Sequence, residues 1–207
     1  MVANRFLVAI AALALAPACG SSDDTVIIVG GDPVDDTVAA GEARGIQLAD
    51  QSFDELVGND YLIQIGMTAT ILASLHDGVI NEADFAAQLV FDDDIFAFAN
   101  DLILDHEDAN FALDGVVRFY GVGFVPTLTA DDLAAESSAN VGFLRGSPDI
   151  DFAFVELEVE RAAAAGILLD ELYSIVGPGE MGNHILADMD MVDAHLAVST
   201  SLLATFY

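Results

Sequence analysis

The residues best suited to chemistry in this sequence are its histidines and the carboxylates near them. His106 and His195 fall on the apolar stripes of two predicted helices, so both imidazoles are expected to face the interior. Two inward histidines can bind a divalent metal, with Asp105, Glu158 or Asp151 as carboxylate partners. The alternative is that both histidines are structural and hydrogen-bonded to neighbouring helices or to adjacent acids, and we favour this interpretation.

A di-metal oxidase centre needs more ligands than this pattern supplies. Such centres use a Glu-x-x-His pair on each of two helices, but Ile103 and Val192 stand three residues before His106 and His195. No Ser, Thr or Cys stands out as a nucleophile beside either histidine. The sequence therefore indicates no catalytic residue and favours a protein that is not an enzyme, with no cofactor predicted beyond a possible divalent metal.

The remaining polar candidates are interpreted as structural. His76 lies beside a glycine in the first long predicted helix and His184 follows a glycine-rich turn, so we expect boundary residues rather than ligands. Asp188, Asp190 and Asp193 lack the central glycine and distal glutamate of an EF-hand calcium loop. We predict that these three aspartates lie on a solvated helix face.

The N-terminus has the pattern of an export signal. Residues 1–18 contain one basic residue, Arg5, and a short apolar run that ends in small residues. Cys19, the single cysteine, follows directly, as the lipidated cysteine does in bacterial lipoproteins. We predict lipidation at Cys19 and a membrane anchor through that lipid, with a plain secretory signal as the alternative. Gly20 rather than Asp after the cysteine favours the outer membrane, and a periplasmic location is the alternative.

Two further segments follow the signal. Residues 19–59 are acidic, contain Gly30-Gly31-Asp32-Pro33 and show little periodicity, which predicts a flexible tether. Residues 60–207 carry apolar residues at helical spacing and are long enough for one domain.

The periodicity of this domain predicts an all-α fold. Long helices are expected at about residues 60–90, 93–120, 149–176 and 181–205, with a shorter one at about 129–144. Three short connections and one longer crossover are typical of an antiparallel four-helix bundle with a short crossover helix.

Several short motifs of the domain match a known family in order and spacing. Phe98-Ala99, Ile103, Asp105-His106 and Asn110 resemble the "FA…M(V/I)…DH…N" segment of a widespread family of exported bacterial proteins described as predicted outer membrane proteins of unknown function. Ile150-Asp151-Phe152-Ala153-Phe154 resembles its "FDxxY" segment, and His195-Leu196 its closing "HL". The resemblance implies a ferritin-like four-helix bundle.

Two positions depart from that family. Val79 stands where the family commonly has a glutamate, and Ala162 where it usually has a histidine. If those family residues form a polar or metal site, this chain has lost two members of it. The departures favour a non-catalytic protein.

The charge of the chain limits its partners. Asp and Glu number 35 against 5 Lys and Arg, for a formal net charge of −30, while 54% of residues are hydrophobic. A chain this acidic is a poor candidate for binding nucleic acid, and its apolar content excludes disorder throughout. We expect an exported cell-envelope protein that serves as a helical-bundle binding or structural module. The alternatives are a metal-binding or redox ferritin-like protein using His106 and His195, and an acidic adaptor for a basic or cell-wall partner.

Overall fold

The apolar periodicity of residues 60–207 does produce helices, and a further helix precedes them. A computed structural model describes residues 31–207, in which six α-helices and no strand occur. These are α1 (Pro33–Leu56), α2 (Tyr61–Ala87), α3 (Asp93–Tyr120), α4 (Leu128–Gly146), α5 (Ile150–Val176) and α6 (Glu180–Leu203), followed by a 3-10 turn at Ala204–Phe206. The all-α prediction is confirmed.

Short polar side chains fix where most of the helices begin. Asp32, Asp92, Thr127 and Asp149 each accept a hydrogen bond from a backbone N–H in the first turn of the helix that follows. The end of α3 is set by Gly121, which adopts the left-handed conformation with φ 65°. Local sequence therefore defines the ends of these helices before any tertiary contact is considered.

Four helices close into a ring. α2 packs on α3, α3 on α6, α6 on α5, and α5 back on α2, while α1 covers α5 and α4 covers α2. The connections from α2 to α3 and from α5 to α6 are short, which makes each of these pairs antiparallel neighbours. A helical bundle is thus confirmed for the four long helices predicted from the sequence.

The prediction of a flexible tether over residues 19–59 is wrong for Pro33–Leu56, which forms α1. Gly41 and Gly45 are typical of a linker in sequence, but here they let α1 approach the backbone of α5. A Cβ at Gly45 would lie 2.6 Å from the Ala164 carbonyl oxygen, and one at Gly41 would overlap the Glu160 carbonyl oxygen. The predicted signal and Cys19 lie outside the described residues.

The core consists of two apolar clusters stacked along the bundle. One contains Leu72, Leu168 and Ile185, and the other contains Phe98 and Phe154. Within residues 31–207 one helix, α2, is apolar and long enough to cross a membrane by composition, but most of its most apolar stretch is buried inside the bundle. This burial makes α2 the central core helix of the described fold.

We predict that the same substitution has opposite effects at two helical glycines. Gly45→Ala should destabilise the fold by about 1–3 kcal/mol, because the added methyl group collides with the backbone of α5. Gly142→Ala, at an exposed position of α4, should stabilise it by up to about 1 kcal/mol, since its added Cβ meets no other part of the described chain within 4 Å beyond its own stretch of helix. Urea denaturation of both variants tests this, and equal effects would contradict the close packing of α1 on α5.

Candidate functional site

All four histidines of the chain are in the interior of the bundle. His76 on α2, His106 on α3, and His184 and His195 on α6 are each less than 10% exposed. Along α2 and α3, His76 and His106 fall where residues of one apolar cluster give way to those of the other. His76 and His106 therefore mark a polar layer between the two apolar clusters.

Three buried ligand atoms converge within this layer. Asp188 Oδ2 lies 3.3 Å from His76 Nε2 and 3.4 Å from His184 Nε2, and all three atoms lie within 4.8 Å of one another. His184 and Asp188 are four residues apart, so α6 presents both on one face. Within the described part of the chain none of the three atoms has a hydrogen-bond partner, although Asp188 Oδ2 is at ion-pair distance from both nitrogens. Unpaired buried polar atoms of this kind need an explanation.

A divalent metal ion would explain these buried atoms that lack hydrogen bonds. Zinc binds imidazole nitrogen and carboxylate oxygen at about 2.1 Å, so two ligands of a tetrahedral site are separated by about 3.4 Å. Both distances from Asp188 Oδ2 agree with that separation. Burial also lowers the pKa of His184, which keeps its imidazole neutral and able to ligate. The three side chains can therefore hold a metal with little rearrangement.

His106 supports this group from the side. Its Nδ1 lies 2.8 Å from His76 Nδ1, and this hydrogen bond is buried. Burial, with additional effects from His76 and His195, lowers the pKa of His106 to about 2, so its ring is neutral. A proton on His76 Nδ1 donated to His106 leaves the lone pair of His76 Nε2 facing Asp188. Such outer hydrogen bonds orient ligating histidines in metal sites.

His195 extends the group of neighbouring histidines toward the surface. Its Nε2 lies 2.9 Å from Asp105 Oδ2, and its ring centroid lies 5.3 Å from that of His106. The side chain of Asp105 is 53% exposed, so this pair reaches solvent. The favoured prediction that His195 is hydrogen-bonded to an adjacent acid agrees with this geometry.

A second charged group lies beside the histidines. The Arg161 guanidinium contacts Glu82 on α2, with Nη1 3.2 Å from Oε2, and Glu158 on α5, with Nη1 3.6 Å from Oε1. Burial raises the pKa of Glu82, and burial raises that of Glu158 to about 7. Two buried carboxyl groups thus share one guanidinium, and burial favours the protonated form of both.

A cavity of about 20 Å³ lies between the histidines and the charged group around Arg161. Its lining includes His106, His195, Glu158 and Arg161, together with Val79 and Ala162. This space holds about one water molecule, for which the polar side chains are suitable partners. The two positions where the chain departs from the resembling family therefore line one small cavity with the predicted histidines.

The predicted metal ligands do not form one cluster. In residues 31–207 the only group of three or more close ligand atoms is His76, His184 and Asp188. Asp151 lies at the start of α5 and accepts a hydrogen bond from the backbone N–H of Phe91 instead. The metal set predicted from His106, His195, Asp105, Glu158 and Asp151 is thus not the one that the fold brings together.

Three residues were misjudged from the sequence. His76 and His184 are buried rather than boundary residues, and Asp188 is 2% exposed rather than part of a solvated face. The spacing of His184 and Asp188, four residues apart on a helix, is a signal that could have identified them. Asp190 is exposed, as predicted.

Comparison of the chain with protein-family models, curated proteins and solved structures gives no match.

We predict a pH-dependent stability that comes from Glu158. Its pKa rises from an ordinary 4.5 to about 7 on folding. Its contribution to the free energy of unfolding is therefore fully present below pH 4.5 and is lost as the pH rises to about 7. Glu158→Gln should remove this dependence of the unfolding free energy on pH, which is on the order of 1–3 kcal/mol between pH 4.5 and about 7. Chemical denaturation from pH 4.5 to 8 with a chelator present measures it. Glu107→Gln, at an exposed site on α3, is the control, and parallel curves for Glu158→Gln and wild type would refute the prediction.

Proposed function

We propose that this protein binds a divalent transition metal in the core of its helical bundle. The observation that carries the proposal is the group of three buried ligand atoms without hydrogen bonds on His76, His184 and Asp188, in which Asp188 Oδ2 lies 3.3 Å and 3.4 Å from the two nitrogens. It retains the metal-binding alternative predicted from the sequence, with a different set of ligands. A ferritin-like origin of the bundle remains part of the proposal and is supported by the sequence motifs alone.

The donor set selects the class of metal. Two imidazole nitrogens and one carboxylate oxygen suit zinc, cobalt or nickel, whereas calcium and magnesium prefer oxygen ligands throughout. Three protein ligands leave one tetrahedral position for water or a ligand from solution. All three side chains are less than 10% exposed, which limits access for a substrate and favours binding or storage over catalysis.

Metal binding should depend on Asp188 and not on its neighbour. Asp188→Asn should weaken cobalt or zinc affinity at least about tenfold, because an amide is a poorer ligand than a carboxylate. Asp190→Asn, two residues further along and on the exposed side of α6, is a matched control and should bind like wild type. Cobalt absorption spectra in the d–d region, with isothermal titration of zinc, provide the measurement. Absence of stoichiometric binding by wild type would overturn the proposal.

His106 offers a graded test of the same site. His106→Leu removes the acceptor for His76 Nδ1 and should lower metal affinity about 10–100-fold, whereas His106→Gln retains an acceptor and should recover part of it. Thermal melts without metal separate this effect from a loss of folding. Equal affinities for the two variants would show that His106 does not orient His76.

We also propose that the protein is exported and anchored in the cell envelope by a lipid on Cys19. The support is the sequence alone, with Arg5, the apolar run and the single cysteine directly after it. The strongly acidic chain would be repelled by anionic lipid surfaces, so a covalent lipid is the simplest source of membrane attachment.

Replacement of the cysteine tests the anchor. Cys19→Ser should move the protein from the membrane fraction to the soluble periplasmic fraction in a bacterial host, because the acylated residue is gone. Metabolic labelling with a fatty acid should mark wild type and not the variant. Cys19→Ser that remains membrane-bound would contradict lipidation.

A further inference from the structure

The outer side of α3 carries large apolar side chains that stay exposed in the described chain. α3 packs closely on α2 and α6, whereas α2 is further covered by α4 and α5 by α1. Most of the exposed phenylalanines of residues 31–207 lie on α3 or on the loops at its two ends. These are Phe91, Phe96, Phe111, Phe119 and Phe124, against Phe53 and Phe143 elsewhere. Single exposed apolar residues are ordinary, but their concentration on one element marks an interaction surface.

The middle of α3 repeats one pattern, in which an acid, an apolar residue and a second acid follow at intervals of three residues. The pattern occurs in two successive heptads, as Asp101, Leu104, Glu107 and then Asp108, Phe111, Asp114. All six residues are exposed, and we call them the α3 outer face. Each step of three residues moves about 60° around the helix in the same direction, so the apolar residues lie midway between two rows of carboxylates.

A shallow groove between α2 and α3 adjoins the outer face. Its volume is about 490 Å³, and its lining includes Phe111, Phe124, Asp77 and Asp114. Asp77 Oδ1 accepts a hydrogen bond from Asn110 Nδ2 at 2.8 Å, which joins the two helices where the groove runs. Phe111 belongs to both the outer face and the groove and is 82% exposed, so its ring is available to a partner on either side.

The charges of α3 determine which kind of partner fits this surface. The helix has seven acidic residues and one arginine, Arg118, and the chain contains no lysine. Arg118 pairs with Asp114 at 3.5 Å, and within residues 31–207 no ion pair reaches Asp101, Glu107 or Asp108. A second copy of the chain would place carboxylates against carboxylates, which opposes association. A complementary partner therefore supplies apolar side chains to the central row and positive charges to both sides of it.

We propose that the α3 outer face docks a basic amphipathic α-helix of a partner protein. Apolar side chains of that helix pack on Leu104 and Phe111 and enter the groove, while its Lys or Arg side chains pair with the two rows of carboxylates. Phe96 and Phe119 extend the apolar surface toward the two ends of α3, about 35 Å apart along the helix. A partner helix of about three heptads matches this length.

The experiment uses a peptide of three Leu-Ala-Ala-Leu-Lys-Ala-Lys heptads as the probe, because it presents leucines on one face with lysines on both sides. One control peptide has glutamate in place of lysine. The other has the composition of the probe in an order that gives no apolar face. Titration of the labelled peptides with the full chain, followed by fluorescence anisotropy in about 0.15 M salt, should show saturable binding of the probe. Its affinity should be at least about tenfold tighter than that of either control, since charge or apolar area alone is insufficient.

Variants locate the binding surface. Phe111→Ser should weaken binding of the probe at least about tenfold, because it removes the ring shared by the outer face and the groove. Phe143→Ser, at an exposed position of α4, is the matched control and should bind like wild type. Both substituted positions are exposed, and thermal melts check that both variants fold.

A second pair of variants separates the position of the charges from their total. Asp101→Asn with Asp108→Asn should weaken binding and reduce its salt dependence, whereas Asp50→Asn with Asp54→Asn, which removes two exposed charges from α1, should change neither. Equal affinity for the probe and the peptide without an apolar face would overturn the proposal, as would binding unaffected by Phe111→Ser. A wild-type dimer that Phe111→Ser dissociates, seen by sedimentation velocity, would also overturn it, because a second copy would then occupy the face.

Discussion

The burial of one guanidinium group constrains most of this structure. Arg161 cannot lose its proton in a protein interior, so its charge must be matched where it lies. Glu82 from α2 and Glu158 from α5 supply the match and join the two helices of the ring that also contact α1 and α4. The absence of a side chain at Gly78 leaves room for the arginine. On one side of this group is an open cleft between α1, α2, α4 and α5, and on the other is the small cavity bordered by His106 and His195.

Helix periodicity and capping were sufficient to predict most of the fold. The predicted helices at about residues 93–120 and 149–176 agree closely with α3 and α5, because apolar stripes are long there and aspartates mark the starts. α1 could not be predicted in this way. Its glycines are poor helix formers in isolation, and their advantage appears only when the α5 backbone lies against them. That contact joins segments more than a hundred residues apart, which local patterns do not encode.

The site was predicted in part. Inward positions for His106 and His195 followed from the stripes, and both residues are buried. Which histidine faces Asp188 depends on how α2 and α3 are each rotated against α6, and local periodicity does not determine that rotation. The sequence did not distinguish Asp188 from nearby aspartates that are exposed, such as Asp190. Burial of a carboxylate, and not its presence in an acidic segment, is what distinguishes a candidate ligand.

A metal ion bound by the three converging ligands would also link two helices of the bundle. α2 and α6 are not among the closely packed pairs of the ring, so they face each other across its diagonal. An ion held by His76, His184 and Asp188 would tie these helices together and close a loop of about a hundred residues. With one cysteine in the chain, an internal disulfide cannot supply such a link. Metal supply would then set how rigidly the bundle is braced, and the loaded protein would resist unfolding and proteolysis more than the metal-free protein.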